Sequence, residues 1–226
     1  MRPHHLVPLA FLPLTLSTPH TPVPIEIHIM SQCPDALSCW HTLISPALSR
    51  LPPTHYTFRL SFIGRSLPDG SLLCPHGATE CLGDMLHLCA VELSSPPSPP
   101  PVVEYSTFTG CLLENYRSVG ERQVVEGCVD ENNKTRRGNA TWGFEELNEC
   151  VSDYAGDEGG PKLLRRSFDR SREAGVNRSC TVRIGGEVWC VRDGGEWVEC
   201  PSEGSVQALV GEVERLWHGE PGVGEL

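Results

Sequence analysis

The sequence predicts an α/β fold in which a sheet packs against helices, and three observations lead to this prediction. Two short runs alternate apolar and polar side chains as strands do, at 23–30 and 56–63, and a helical pattern separates them. A third strand-rich region, 180–199, precedes an amphipathic helix at 205–217. Between these two halves, residues 66–175 carry mainly helical patterns. Proteins with this order of strands and helices commonly bury their apolar faces by packing helices against a sheet.

The first strand leads directly into a helix. Isoleucines occupy alternate positions of 23–30, and β-branched side chains favour strands. Cys33 follows, and Pro34 is tolerated in the first turn of a helix, where its missing N–H has no partner to lose. The apolar pattern predicts a helix over 34–51, and Pro46 is expected to kink it.

The remaining elements follow from the same patterns. Helices are predicted at 79–93, 105–125, 144–154, 161–174 and 205–217. Loops are predicted at 66–70 and at the Ser/Pro-rich 94–101, and the polar stretch 132–138 is expected at the surface. Residues 180–191 and 196–199 are predicted to form a β-hairpin around a turn at 193–195. Without the middle segment this order is β-α-β-β-β-α, the minimal thioredoxin-like topology, here with a disulfide-rich, mainly helical insertion.

The chain divides into three parts on this interpretation. Residues 1–22 are expected to be a leader, because 6–16 resembles the apolar region of a signal peptide; a disordered leader is the alternative. Residues 23–217 are expected to form a single thioredoxin-like domain with the helical insertion at about 66–175, and 218–226 a flexible tail. No other segment approaches the roughly 18 apolar residues of a transmembrane helix, so no membrane span is expected.

Charge and cysteine content narrow the function. The formal net charge of −11 argues against nucleic acid or an anionic membrane surface as a partner. Eleven cysteines indicate an oxidising compartment, and their odd number leaves at least one thiol without a partner in the chain. Glycosylation sequons at Asn133, Asn139 and Asn177 add weak support for a secreted or lysosomal/vacuolar protein.

Cys33 is the candidate catalytic residue. The start of a helix favours an anion, and therefore favours the nucleophilic thiolate of a cysteine placed there. The functional interpretation is a nucleophile in thiol–disulfide exchange, and a structural half-cystine is the alternative. A partner cysteine would be expected three residues later, but Ala36 occupies that position.

Two other cysteines are candidate resolving thiols. Cys39 lies about 9 Å from Cys33 along a helix axis. Bridged Cα atoms are roughly 4.4–6.8 Å apart, so a direct bond would require the first turn to unwind. Cys180 lies where a thioredoxin-like fold usually has a cis-proline, and it could face Cys33 and either pair with it or resolve its mixed disulfide. The alternative for Cys39 is a buried thiol or a structural half-cystine, and the alternative for Cys180 is a side chain that points into the sheet or bonds elsewhere.

A second cluster contains Cys74, His76, Cys81 and Cys89. These residue types can bind zinc, but the C-x6-C and C-x7-C spacings differ from the short spacing of zinc knuckles. Structural disulfides are the better interpretation, and neither a metal nor a cofactor is expected. His76 and Glu80 could be acid–base groups, but a role in orienting the loop is the simpler interpretation.

The same cluster resembles the signature of the gamma-interferon-inducible lysosomal thiol reductases (GILT). The matching pattern is Cys74-x-His76-Gly77-x-x-Glu80-Cys81-x-x-Asp84-x-x-x-x-Cys89. Two positions depart from the signature, with Pro75 in place of Gln and Asp84 in place of Asn. The resemblance extends over about 23–217 and includes 108–111, Cys128, Cys150 and 160–164.

The resemblance implies a thioredoxin-like fold that reduces protein disulfides with a C-x-x-C pair. The first cysteine of the pair attacks the substrate, and the second resolves the mixed disulfide. Only the first carries over, as Cys33, so a monothiol or impaired enzyme is expected, with disulfide-containing proteins as substrates and a small thiol as reductant. The alternative is a catalytically inactive, disulfide-rich secreted binding protein. The favoured local disulfides are Cys74–Cys81 and Cys190–Cys200, the latter across the hairpin turn.

Overall fold

A computed structural model describes residues 21–95, 100–135, 142–201 and 203–219. Nearly all of the expected leader, the sequon at Asn139 and most of the expected tail lie outside these residues.

A five-stranded sheet forms the centre of the molecule. Its strands are β1 (Val23–Ile29), β2 (Tyr56–Phe62), β5 (Thr181–Ile184), β6 (Glu187–Asp193) and β7 (Glu196–Val198). Their spatial order is β2-β1-β5-β6-β7, with β1 parallel to β2 and the other neighbours antiparallel. Ile25, Ile27 and Ile29 are buried, as the alternating pattern of the first strand predicts.

The C-terminal strand region contains one more strand than the sequence predicts. Residues 180–191 were expected to be a single strand, but Gly185 and Gly186 have φ values of +64° and +95° and turn the chain between β5 and β6. Positive φ values of this kind are tolerated by glycine, because it has no Cβ. The second turn is at the expected place, with Gly194 and Gly195 also at positive φ.

Helices cover the sheet and fill the segment between β2 and β5. They are α1 (Pro34–Cys39), α2 (Ser45–Leu48), α3 (Ala78–Leu93), α4 (Ser106–Glu114), α5 (Arg122–Thr135), α6 (Phe144–Ser152), α7 (Gly160–Glu173) and α8 (Val206–Trp217). Short 3-10 turns span Val102–Glu104 and Tyr116–Ser118. The expected loop at 66–70 lies inside a two-stranded hairpin of β3 (Arg65–Ser66) and β4 (Leu72–Leu73).

The helix that follows the first strand contains a wide turn. A π-helical segment, Trp40–Ile44, joins α1 to α2 directly before Pro46, where the sequence predicts a kink. Pro46 has no N–H to donate, and the amide of Ser45 donates to the carbonyl of Trp40, five residues earlier. The Trp40 ring is buried here against Phe58, with ring centroids 6.0 Å apart.

The helical region expected at 105–125 is instead two helices, α4 and α5. Helix α5 continues to Thr135, so part of the polar stretch expected at the surface is helical and buried. The side chain of Asn132 is fully buried, where it accepts from the amide of Phe108 at 3.0 Å and donates to the carbonyl of Glu104 at 3.0 Å. A buried amide with partners on both sides explains why a polar residue belongs to this core.

Two disulfides hold the helical insertion together. Cys89–Cys150 joins α3 to α6, and Cys111–Cys128 joins α4 to α5. Helix α3 also packs against α7, which in turn lies on β2, so the insertion is continuous with the sheet. In the described part of the chain, no helix is long and apolar enough to cross a bilayer.

Candidate active site

Cys33 lies at the junction of β1 and α1, at the end of an active-site loop formed by residues 30–33. Its amide donates to the carbonyl of Met30 at 3.0 Å, and its own carbonyl accepts from the amide of Ala36 at 3.1 Å. The thiol is free and half-buried, and its Sγ lies 3.8 Å from the carbonyl oxygen of Ser179. The strand and the helix together therefore present one free thiol to a neighbouring loop.

Ala36 occupies the position of the second cysteine of a C-x-x-C pair, and it is fully buried. Its methyl group cannot attack a mixed disulfide on Cys33. Any group that releases such an intermediate must therefore come from elsewhere in the chain or from solution.

The two candidate resolving thiols are bonded to each other. Cys39 and Cys180 form a disulfide with a Cα–Cα distance of 6.3 Å, and both residues are fully buried. The suggested pairing of Cys180 with Cys33 is therefore wrong for this state, and neither candidate is a thiol in it. Cys39 faces the sheet because it lies one helical turn beyond Ala36.

The chain before β5 contains a cis peptide bond, between Ser179 and Cys180, at the place where a thioredoxin-like fold usually has a cis-proline. No proline is present here. The Ser179 hydroxyl accepts from the amide of Met30 at 3.0 Å, so this loop is bonded to the active-site loop.

Asp35 connects Cys33 to the C-terminal hairpin, a role that the sequence interpretation missed. Its carboxylate accepts from the amides of Gly194 at 3.0 Å and Gly195 at 2.9 Å. The Nε atom of Arg192 lies 3.8 Å from the same carboxylate. The available signal was a glycine pair whose amides are free to donate, but nothing in the sequence indicates which carboxylate receives them.

Glu80 holds the active-site loop from the other side. Its fully buried carboxylate accepts from the amides of Gln32 at 3.3 Å and His76 at 2.9 Å, and it also contacts the His76 ring. The expectation that His76 and Glu80 orient a loop of the insertion was therefore incomplete. The same carboxylate also binds the residue directly before Cys33.

Asp84 makes a parallel contact one helical turn further along α3. Its buried carboxyl group accepts from the amide of Ser31 at 3.1 Å, while the Ser31 hydroxyl donates to the Glu80 carbonyl at 3.1 Å. Burial raises the pKa of Asp84 well above its ordinary value, and the neighbouring Glu80 charge adds to the shift. Gly83 lies between these carboxylates, and a Cβ there would meet the Ser31 hydroxyl at 2.6 Å. The signature residues thus bind the loop that carries Cys33.

The other cysteines form structural pairs. The structure joins Cys74 to Cys81 and Cys190 to Cys200, the two local pairings that the sequence favours. Cys89 is bonded to Cys150, so all three cysteines that the zinc interpretation requires are held in disulfides. Among the described residues, no group of three or more His, Cys, Asp or Glu side chains is arranged to hold a metal ion.

Two of the three sequons fall on described residues. Asn177 is exposed, in the loop that leads to Ser179. Asn133 is partly buried, and its side-chain amide donates to the carbonyl of Trp142 at 3.0 Å. Their glycosylation stays a prediction.

A free cysteine at a strand–helix junction, on a sheet of this order, defines the class of thioredoxin-like thiol–disulfide oxidoreductases. Residues 24–132, just under half of the chain, match the family model described as "Gamma interferon inducible lysosomal thiol reductase (GILT)". This match confirms the resemblance that the signature suggests. No curated protein matches the chain.

Solved structures confirm the fold class. The reduced form of the disulfide bond oxidoreductase DsbG from Mycobacterium tuberculosis is 11% identical, with a TM-score of 0.51, and the match covers 88% of this chain and 79% of that chain. Alpha-DsbA1 from Wolbachia pipientis is also 11% identical, with a TM-score of 0.51, and the match covers 92% of this chain and 94% of that chain. At this identity the likeness concerns the fold alone.

Proposed function

We propose that this chain is a thiol–disulfide oxidoreductase of the GILT type that acts on protein disulfides through a single thiol, Cys33. The observation that carries the proposal is the pairing of the cysteines. All eleven lie in the described part of the chain, and Cys33 alone is free. The family and the position of this thiol at the start of α1 support the assignment of the nucleophile.

The proposed reaction begins with attack of the Cys33 thiolate on one sulfur of a substrate disulfide. The substrate S–S bond breaks, a mixed disulfide forms on Cys33, and the other substrate half leaves as a thiolate that takes up a proton. A small thiol then attacks the Cys33 sulfur and releases the second substrate thiol. A second small thiol frees Cys33 and leaves as the oxidised small disulfide, so that two electrons pass from the small thiols to the substrate.

A second route to release needs the Cys39–Cys180 bond to be reduced first by two small thiols, which leave as their disulfide. Cys180 follows Ser179, whose carbonyl oxygen lies 3.8 Å from the Cys33 sulfur. A Cys180 thiolate could attack that sulfur and release the substrate, and attack by Cys39 on Cys180 would then restore the observed pairing and a free Cys33. This route makes both residues resolving thiols in a reduced form of the protein.

The proposal includes a secreted or lysosomal/vacuolar location. Five disulfides in one chain support an oxidising environment, as does the match of residues 24–132 to a family described as lysosomal. A signal peptide within 1–22 and glycans at Asn133, Asn139 and Asn177 belong to the same proposal. The expected domain division, with one domain over 23–217, is retained as part of it.

The deciding experiment compares insulin reduction by the wild type, Cys33→Ser and Cys180→Ser in the presence of a small thiol. Wild type should form a mixed disulfide and turn over slowly, and Cys33→Ser should do neither. Equal turnover by Cys180→Ser indicates release by the small thiol, whereas loss of turnover with an accumulated mixed disulfide indicates the second route. Reduction by Cys33→Ser at the wild-type rate would refute the assignment of the nucleophile.

Two observations favour a second candidate function, a catalytically inactive binding protein. Ala36 removes the usual resolving thiol, and Cys39 and Cys180 are held in a buried bond. Labelling of the native protein with iodoacetamide between about pH 5 and 7 separates the two functions. A Cys33 that labels no faster than a simple thiol would support the binding protein, because an activated nucleophile reacts through its thiolate.

A further inference from the structure

A groove with a volume of about 590 Å³ lies beside the active-site loop. This volume is within the roughly 300–1,000 Å³ that ligand sites occupy. Its apolar lining residues come from four different segments of the chain, and they are Met30, Ile63, Leu73, Pro75 and Val176. Leu73 is 42% exposed, which leaves it available for contact.

Both walls of the groove are bonded to the surroundings of Cys33. Met30 accepts from the Cys33 amide through its carbonyl and donates to the Ser179 hydroxyl through its own amide. On one side, Cys74 lies 3.6 Å from the Asp84 carboxylate that binds the active-site loop. On the other side, Val176 leads to Ser179 through the exposed loop at 177–178. The groove therefore adjoins the loop that carries the nucleophile.

The charges in the groove have one sign. Arg65 and Arg172 line it, and no carboxylate does so. Arg172 is paired with Asp169 on its own helix at 2.8 Å. Arg65 has no ion-pair partner within the described residues, although the formal net charge of the chain is −11. An unpaired cation beside an apolar surface favours a ligand that combines apolar side chains with a negative charge.

We propose that this groove binds the substrate polypeptide next to the disulfide under attack, as an extended apolar segment with an acidic side chain placed against Arg65. The proposal rests on the proposed function, because it requires Cys33 to be the nucleophile. It adds a substrate class to that function, namely disulfides flanked by apolar and acidic residues.

The test uses two peptides that differ in one residue. Each peptide carries apolar residues and one cysteine activated as a 2-thiopyridyl disulfide, with either Glu or Lys two residues from the cysteine. The Cys33 thiolate attacks the peptide sulfur, the S–S bond to the thiopyridyl group breaks, and pyridine-2-thione leaves and is measured by absorbance. The rate for each variant is divided by its rate with 2,2′-dithiodipyridine, which has no peptide and reports on the thiol alone.

We expect the wild type to react about fivefold faster with the Glu peptide than with the Lys peptide at low ionic strength, as one partly exposed ion pair allows. Arg65→Glu should reverse this preference. Leu73→Ser, a change at an exposed position, should slow both peptides about threefold relative to dithiodipyridine. Arg50→Glu is the matched control, because it changes the net charge equally at an exposed position beyond α2 that does not line the groove.

The outcomes distinguish failure of the proposed binding groove from failure of the proposed reaction at Cys33. If Arg65→Glu keeps the wild-type ratio of the two peptides, or if Arg50→Glu changes that ratio equally, the groove is not the binding site. If dithiodipyridine does not react at Cys33 in the wild type, the proposed function fails, and the premise of the groove fails with it.

Discussion

His87 should make the protein lose stability in acid, and the loss can be calculated. The side chain lies fully buried on α3 between Phe62 and Phe108, with ring centroids 5.6 and 6.3 Å away. Neither ring nitrogen has a hydrogen-bond partner. Burial therefore lowers the pKa of His87 from 6.5 to about 3, because a charged imidazolium would be desolvated there without compensation.

The direction of the effect follows from proton binding. Between pH 6.5 and 3 the unfolded chain binds a proton at this residue and the folded chain does not, so stability falls as the pH falls. Each pH unit corresponds to about 1.36 kcal/mol. The loss attributable to His87 is therefore about 3 kcal/mol at pH 4.5, two units below the ordinary value, and about 5 kcal/mol at pH 3.

The test is urea unfolding of the wild type and of His87→Leu at pH 7 and pH 4.5, with tryptophan fluorescence as the probe of unfolding. Leucine is close to histidine in volume and cannot bind a proton. The difference in free energy of unfolding, variant minus wild type, should be about 3 kcal/mol larger at pH 4.5 than at pH 7. His41→Leu is the control, because that side chain is 39% exposed. An equal difference between wild type and His87→Leu at both pH values would refute the reasoning.

Three further predictions concern the site and the sheet. Ala36→Cys should restore a C-x-x-C pair and raise turnover in insulin reduction about tenfold or more, because the new thiol would resolve the Cys33 mixed disulfide intramolecularly. Glu80→Ala should lower the free energy of unfolding by about 1–3 kcal/mol in urea and slow iodoacetamide labelling of Cys33, because the part-buried Gln32 amide loses its acceptor. Burial would raise the pKa of Glu26, but its hydrogen bonds and cationic neighbours hold it at about 2. Glu26→Gln should therefore cost about 3 kcal/mol at pH 7, and in urea titrations that difference should disappear as the pH falls from 4.5 to 2.

Matched controls separate these effects from general damage. Ala36→Ser adds one polar atom without a second thiol and should leave turnover low. Glu114→Ala removes an exposed carboxylate of α4. It should change the free energy of unfolding by no more than about 0.5 kcal/mol and leave the labelling rate of Cys33 as in the wild type. Turnover of Ala36→Cys equal to wild type, or fast labelling of Cys33 in a stable Glu80→Ala variant, would contradict the first two predictions.

The elements that sequence patterns predicted well are those fixed by local chemistry. The run of alternating isoleucines ends at Ile29, and the helix begins at Pro34 because proline suits its first turn. Strand β2 and helix α8 lie within one residue of their predicted limits. Cys74–Cys81 and Cys190–Cys200 span only 7 and 10 residues, so spacing alone favoured them.

The features that could not be predicted depend on contacts between distant segments. Cys39 and Cys180 are 141 residues apart, and no local pattern selects that pair among eleven cysteines. Asp35 accepts from the amides of Gly194 and Gly195, which lie 159 and 160 residues further along the chain. Asn132 is polar in a polar stretch, and only the packing of α5 against α4 shows that its amide satisfies buried backbone groups.

The hairpin contact of Asp35 bears on the biosynthesis of the protein. A nascent chain leaves the ribosome with its N-terminus first, so Cys33 emerges well before Gly194 and Gly195. The two glycines that bind Asp35 come late in the chain. So does Cys180, which forms the disulfide with Cys39. During translation Cys33 is therefore an unsupported thiol among several that still await partners. A disulfide isomerase or a chaperone that shields residues 33–39 until the hairpin has formed would protect this chain from wrong cross-links.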